Sequence, residues 1–124
     1  MSQRTRRGQG AHRRGLGAER LCLWALRLKG YRVLARRYRT PVGEIDLIVR
    51  RGRTVAAIEV KARIDDARAA ESVLWKQRRR IARALEHFLQ YRPELSHAAL
   101  RFDVMLVAPG RWPRHVRDAW RAGE

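Results

Sequence analysis

The segment GEIDLIVRRGRTVAAIEVKAR, residues 43–63, constrains the fold more than any other part of this chain. Two apolar runs of strand length flank Gly52, and no proline interrupts either. Gly52-Arg53 suits a two-residue type II′ turn, which takes glycine at its first central position. Arg51 then pairs with Thr54, Val49 faces Ala56, Leu47 faces Ile58, and Asp46 falls opposite Glu59. With Arg51-Gly52 as the loop instead, Asp46 faces Ala57 and sits diagonal to Glu59 on the same side. Strand alternation puts Ile45, Leu47 and Val49 on one face and Glu44, Asp46 and Ile48 on the other. In the third run Ala57, Glu59 and Lys61 alternate with Ile58 and Val60. Either register therefore brings two carboxylates together inside an apolar hairpin.

The flanking segments extend this hairpin into an α/β fold. Leu16 to Lys29 predict a first helix, with Ala18, Leu21, Cys22, Ala25 and Leu28 on one face and Gly30 as its stop. Leu16, Glu19, Leu23 and Leu26 line a second face, where Glu19 needs a partner among its apolar neighbours. YRVLARRYR, from Tyr31, reads as the first strand of a three-strand antiparallel meander, turning at Pro41 to Gly43. A second helix from about Ala70 to Tyr91 presents Leu74, Ile81, Leu85 and Phe88 inward. The strand ALRFDVMLVA that follows is expected to lie parallel to the third, because a right-handed helical crossover favours that arrangement. Trp112 to Arg117 suit a short edge strand, the one place where Pro113 is tolerated. The order is αβββαβ(β), a mixed central sheet flanked by helices.

A chain of 124 residues holds one ordinary domain. Residues 1–15 carry five arginines, no acid and no apolar periodicity, and are expected to be a disordered basic arm preceding a domain over 16–124. The formal charge of +17 favours a polyanionic partner. No stretch approaches the roughly 20 apolar residues of a spanning helix, and the first residues lack the apolar core of a secretory signal. Membrane partners are not expected, and the expected location is cytoplasmic. Cys22 sits among Leu21, Leu23 and Ala25 as a small buried residue, and His12, His87, His97 and His115 show no zinc-ligand spacing with it. There are 26 arginines and only 3 lysines, so the retained Lys61 and Lys76 stand out.

Two like charges on neighbouring strands require a proton or a cation between them. Their hard oxygens suit Mg2+ or Mn2+, which bind through one or two carboxylates plus waters and substrate phosphate. Lys61, two residues after Glu59, projects beside the pair and can orient an attacking water and stabilise charge developing on phosphorus. A cross-strand ion-pair cluster on a solvated face is the plainer explanation. The apolar residues on either side, Ile45, Leu47, Ile48, Ile58 and Val60, argue for a covered hairpin in which unpaired charge is costly.

The runs GEIDLIV, IEVKAR, KQRRRI and RFDVMLV, in that order and spacing, resemble the YraN-like endonuclease family, bacterial proteins that in turn resemble Holliday junction resolvases. The likeness spans nearly everything from Gly15 to Trp120. It implies the restriction-endonuclease-like fold and a Mg2+- or Mn2+-dependent endonuclease whose motif maps onto Asp46, Glu59 and Lys61. Glu19 matches the acid on the first helix, and the Val60 carbonyl is a further expected metal ligand beside Asp46 and Glu59. Two departures are Arg37, where similar proteins tend to carry Asn, and Ala57, where an aromatic is common.

Lys76, Gln77, Arg78 and Arg79 open the second helix and are the expected nucleic-acid contacts. Arg78 and Arg79 suit phosphates, and Gln77, on the inward face, suits positioning the catalytic residues. Asp103 is expected to make a structural salt bridge. The tryptophans Trp24, Trp75, Trp112 and Trp120 are scattered, which favours packing over base stacking. The expected partner is nucleic acid, DNA before RNA, and the sequence leaves a homodimer open. The competing reading is a catalytically inactive nucleic-acid-binding module. A small RNA-binding protein accounts for the charge but leaves the paired acids unexplained.

Overall fold

A computed structural model describes residues 17–62 and 73–123. The basic arm expected over 1–15 lies outside them. Strands β1 (Arg32–Thr40), β2 (Gly43–Arg51) and β3 (Thr54–Ala62) form the antiparallel meander. β4 (Ala99–Val107) pairs parallel to β3 in continuous register from Thr54↔Ala99 to Ala62↔Val107. β5 closes the far edge antiparallel to β4 over Arg114–Trp120, later in sequence than expected, with the buried Pro113 just before it. The sheet order is β1-β2-β3-β4-β5. Helix α1, described over 17–28, covers one face, and α2 (Trp75–Gln90) covers the other. This α/β sandwich with a mixed sheet is a restriction-endonuclease-like fold. No helix among the described residues is long and apolar enough to cross a membrane.

The central turn follows the first of the two registers. Arg51 pairs with Thr54, Val49 with Ala56 and Leu47 with Ile58. Gly52 takes φ 61° while Arg53 stays out of the left-handed region, the combination of a type II′ turn. Alternation then breaks near Asp46. Leu47 and Val49 pack beneath α1 with Ala56, Ile58 and Met105, but Ile45 joins Ile48, Val55 and Ala57 beneath α2. The expectation that Ile45 shares a face with Leu47 is therefore corrected. The β2–β3 pairing stops at Leu47↔Ile58, and beyond it Asp46 replaces a backbone partner for β3. β2 stays paired to β1 there, with Tyr38 opposite Ile45, but the intervening Arg37 is left-handed (φ 49°), and across that irregularity the regular pleat no longer dictates which way Ile45 points.

The helices also turn differently from the expected faces. Glu19, Cys22, Leu23, Ala25 and Leu26 are buried on α1, whereas Leu21 and Leu28 are exposed. The buried set follows i, i+3, i+4, i+7 spacing from Glu19, and the acid is accommodated because arginines from β1 reach it. α2 begins at Trp75, because Leu74 is extended (φ −62°, ψ 151°) and exposed. Its inward face is Ile81, Ala84, Leu85 and Phe88. The earlier part of the expected helix, residues 70–72, lies outside the described residues.

Close packing of α2 on the hairpin explains one glycine of the GEID run. A side-chain carbon added at Gly43 would run into the backbone of α2 at Arg80. Backbone cannot swing aside as a flexible side chain can, so an alanine pushes the helix off the start of β2. Gly43→Ala is expected to lower the unfolding free energy by about 1–3 kcal/mol, the usual cost of overpacking, as measured by urea denaturation.

Candidate active site

Asp46 lies where β2 and β3 part, and its Oδ2 accepts a hydrogen bond from the Val60 N–H at 2.8 Å. The bond ties the carboxylate to β3 and satisfies an amide that would otherwise be left by the interrupted ladder. Glu59, on the α2 side of β3, is 9% exposed. Gln77, from the first turns of α2, donates Nε2–H to Glu59 Oε1 at 2.7 Å. Lys61 Nζ stands 3.6 Å from the same oxygen and donates to Gln77 Oε1 at 3.3 Å. Glu59, Lys61 and Gln77 thus close a triangle next to Asp46.

The electrostatics follow from this crowding. Burial, and then the negative charge of Asp46, push the Glu59 carboxyl up to about 7, with Lys61 pulling the other way. Burial likewise raises Asp46, opposed by its bond from Val60. Two adjacent carboxylates, one buried and one half-buried, resist ionising together. A pair of hard oxygen donors with surplus negative charge at neutral pH fits Mg2+ or Mn2+, which need only one or two carboxylates when water and phosphate complete the shell. Among the described residues, no group of three or more His, Cys, Asp or Glu side chains is placed to hold a metal.

The remaining candidates fall in different places. Glu19 is held by Arg36 Nε at 3.0 Å and by Arg37 Nη2 at 3.2 Å, in an ion pair between α1 and β1. Arg37 has φ 49°, in the left-handed region, which Asn tolerates better than Arg. Cys22 lies within the field of Asp46 and Glu19, and burial foremost pushes its thiol up to about 12, leaving it protonated at neutral pH. Lys76 and Arg79 are exposed on α2, while Arg78 Nε donates to the Val73 carbonyl at 2.8 Å.

Asp103 is fully buried away from Lys61. Arg101 Nε and Nη2 each reach it at 2.8 Å, His115 Nε2 at 2.7 Å, and the Asp118 N–H at 2.9 Å. Burial alone would raise its carboxyl, but these bonds outweigh it and hold the group below the ordinary carboxylate value. It is the structural ion pair that its place in an apolar strand implied.

The sequence model of the uncharacterised protein family UPF0102 matches residues 18–107, which run from α1 through β4 and stop short of β5. A UPF0102 protein of Parvibaculum lavamentivorans is 57% identical over 114 residues, 92% of this chain and 86% of its own length. One from Paramagnetospirillum magneticum is 50% identical over 121 residues, 94% of both chains, and one from Chelativorans is 48% identical over 92% of both.

The raised Glu59 carboxyl has a definite consequence for stability. Its ordinary value is 4.5 and its folded value about 7, so between these pH values the folded state holds the proton more firmly than the unfolded state. Stability is therefore lost as pH rises through that window. In metal-free buffer, Glu59→Gln should raise the melting temperature relative to wild type at pH 8 and have little effect at pH 4, as read by thermal denaturation followed by circular dichroism.

Proposed function

The chain belongs to the UPF0102 family, and on that footing we propose that it is a divalent-metal-dependent endonuclease that hydrolyses phosphodiester bonds in DNA, branched DNA included. The observation that carries this reading is the pairing of half-buried Asp46 with buried Glu59, with Lys61 in contact, in a chain of net charge +17. An anion-binding surface gains nothing from two acids at its centre. A cation-binding hydrolytic site requires them.

In this reading Asp46 and Glu59 supply the metal-binding oxygens, with the Val60 carbonyl as a further candidate, whereas Glu19, paired with Arg36 and Arg37, is not grouped with them. Mg2+ or Mn2+ bound there would supply positive charge to polarise the phosphoryl group and lower the pKa of water. Lys61, steadied by Gln77, holds the attacking water and stabilises the phosphoryl oxygens as charge develops on them. Gln77 fixes Glu59 from the helix side, so that the carboxylate keeps one orientation. Hydrolysis forms one bond from phosphorus to the water oxygen and breaks one to the leaving sugar oxygen. Arg79, Lys76 and the other cations of α2 contribute affinity through phosphates without reading sequence.

Cleavage of linear, single-stranded, flap and four-way-junction DNA with Mg2+ or Mn2+ tests this reading. Asp46→Ala and Lys61→Ala should each lower the cleavage rate by at least about 100-fold while DNA binding persists. Binding by wild type without cleavage of any substrate under either metal would favour the inactive nucleic-acid-binding module instead.

A further inference from the structure

A groove of about 270 Å3 runs along the flank of α2 that faces β5, and its walls include Trp75, Arg78, Arg79, Arg83 and Trp120. It adjoins a wider trough of about 570 Å3, which shares Ala82, Glu86 and Trp120 with it and adds Leu85 and Phe102. Neither belongs to the Asp46 and Glu59 centre. Among the described residues lining the narrower groove, Arg79 and Arg83 stand with one acid, Glu86, while Arg78 is engaged by the Val73 carbonyl and the Trp120 ring, so the groove suits a polyanion.

Its aromatic residues make it more than a cationic patch. Trp75 is 57% exposed, and Arg79 lies over its ring at 4.8 Å. Trp120 is 3% exposed, stacks on Phe102 with ring centroids 4.1 Å apart, and has an indole N–H with no hydrogen-bond partner among the described residues. An exposed indole among guanidinium groups, above an apolar trough, is the combination on which unstacked bases lie while the backbone follows the cations. A duplex keeps its bases in the helical stack and offers such a groove only its phosphates.

We propose that this groove binds an unpaired stretch of the substrate strand, with one base stacked on Trp75 and neighbouring phosphates on Arg79 and Arg83. The proposal rests on the nuclease reading and adds the substrate class: nucleic acid with a single-stranded segment a few nucleotides from the cleavage point. The link to the centre is α2 itself. Gln77, which touches both Glu59 and Lys61, follows Trp75 by two residues, about 3 Å along the helix axis but about 200° around it. Groove and centre therefore flank the same first turn of α2 from different sides, and one strand passing round that turn, about 10–12 Å across with its side chains, can occupy both with a few nucleotides between them.

Fluorescence anisotropy in EDTA, with the full chain and labelled oligothymidine or a duplex of equal length at matched salt, tests the proposal without cleavage. Its failure is thereby distinguishable from loss of nuclease activity, which the metal-dependent assay reads. Trp75→Ala should weaken single-strand binding by about 5- to 100-fold, the range that base stacking on an aromatic supplies, and leave duplex binding nearly unchanged. Trp75→Phe should retain most of the single-strand affinity, and a melting curve like that of wild type shows that the exposed position does not hold the fold. Equal loss on both DNAs, no loss on either, or failure of wild type to bind the single strand overturns the proposal.

Discussion

The hydrogen bond from the Val60 amide to Asp46 is the constraint on which the rest of the site depends. It sits where the β2–β3 ladder ends, so one side chain does the work of a missing backbone acceptor. A buried amide without a partner would cost about 1–3 kcal/mol, and the carboxylate removes that cost only by entering the sheet itself. Once there, it raises the energy of an ionised Glu59 beside it. The separation of the strands and the strained charge of the site are thus one event.

The surrounding packing holds this arrangement in place. α1 seals one face of the hairpin with Cys22, Leu23 and Leu26 over Leu47, Val49 and Ile58, and α2 seals the other with Ile81, Leu85 and Phe88. Gly43 lets α2 approach closely enough for Gln77 to reach Glu59 and Lys61. On the far side of the sheet, Asp103 gathers Arg101, His115 and the Asp118 amide, joining β4 to β5 without competing for Lys61. Each buried acid among Glu19, Glu59 and Asp103 has its own cationic partner, and Glu59 and Asp46 are the two that also face each other.

Much of this was legible in the sequence because local rules dictated it. Glycine in the turn narrowed the register of β2 on β3 to two choices, of which the structure adopts the Gly52-Arg53 turn, and the helical crossover implied β4 parallel to β3. The proximity of Asp46 to Glu59 followed from that register. What alternation alone could not show was the break near Asp46, where the β2–β3 ladder ends, a side chain takes a backbone bond and Arg37 on β1 turns left-handed. Leu21, Leu28 and Leu74 were misplaced because apolar character was read as burial, whereas α1 has apolar residues around much of its circumference and Leu74 precedes its helix. Gln77 was legible as an inward-facing residue suited to positioning the catalytic ones, but not as a single amide that bonds Glu59 and Lys61 at once. The groove at Trp75 was not, because scattered tryptophans acquire a common surface only when β5 is brought alongside α2.

The most direct test of the central claim is calorimetric titration of the metal-free chain with Mn2+. The account predicts one tight site per chain near neutral pH, lost in Asp46→Asn and in Glu59→Gln but kept when Glu94, an exposed acid on the connection before β4, is changed to Gln. No binding by wild type at millimolar Mn2+, or binding that survives both substitutions in the hairpin, would contradict it.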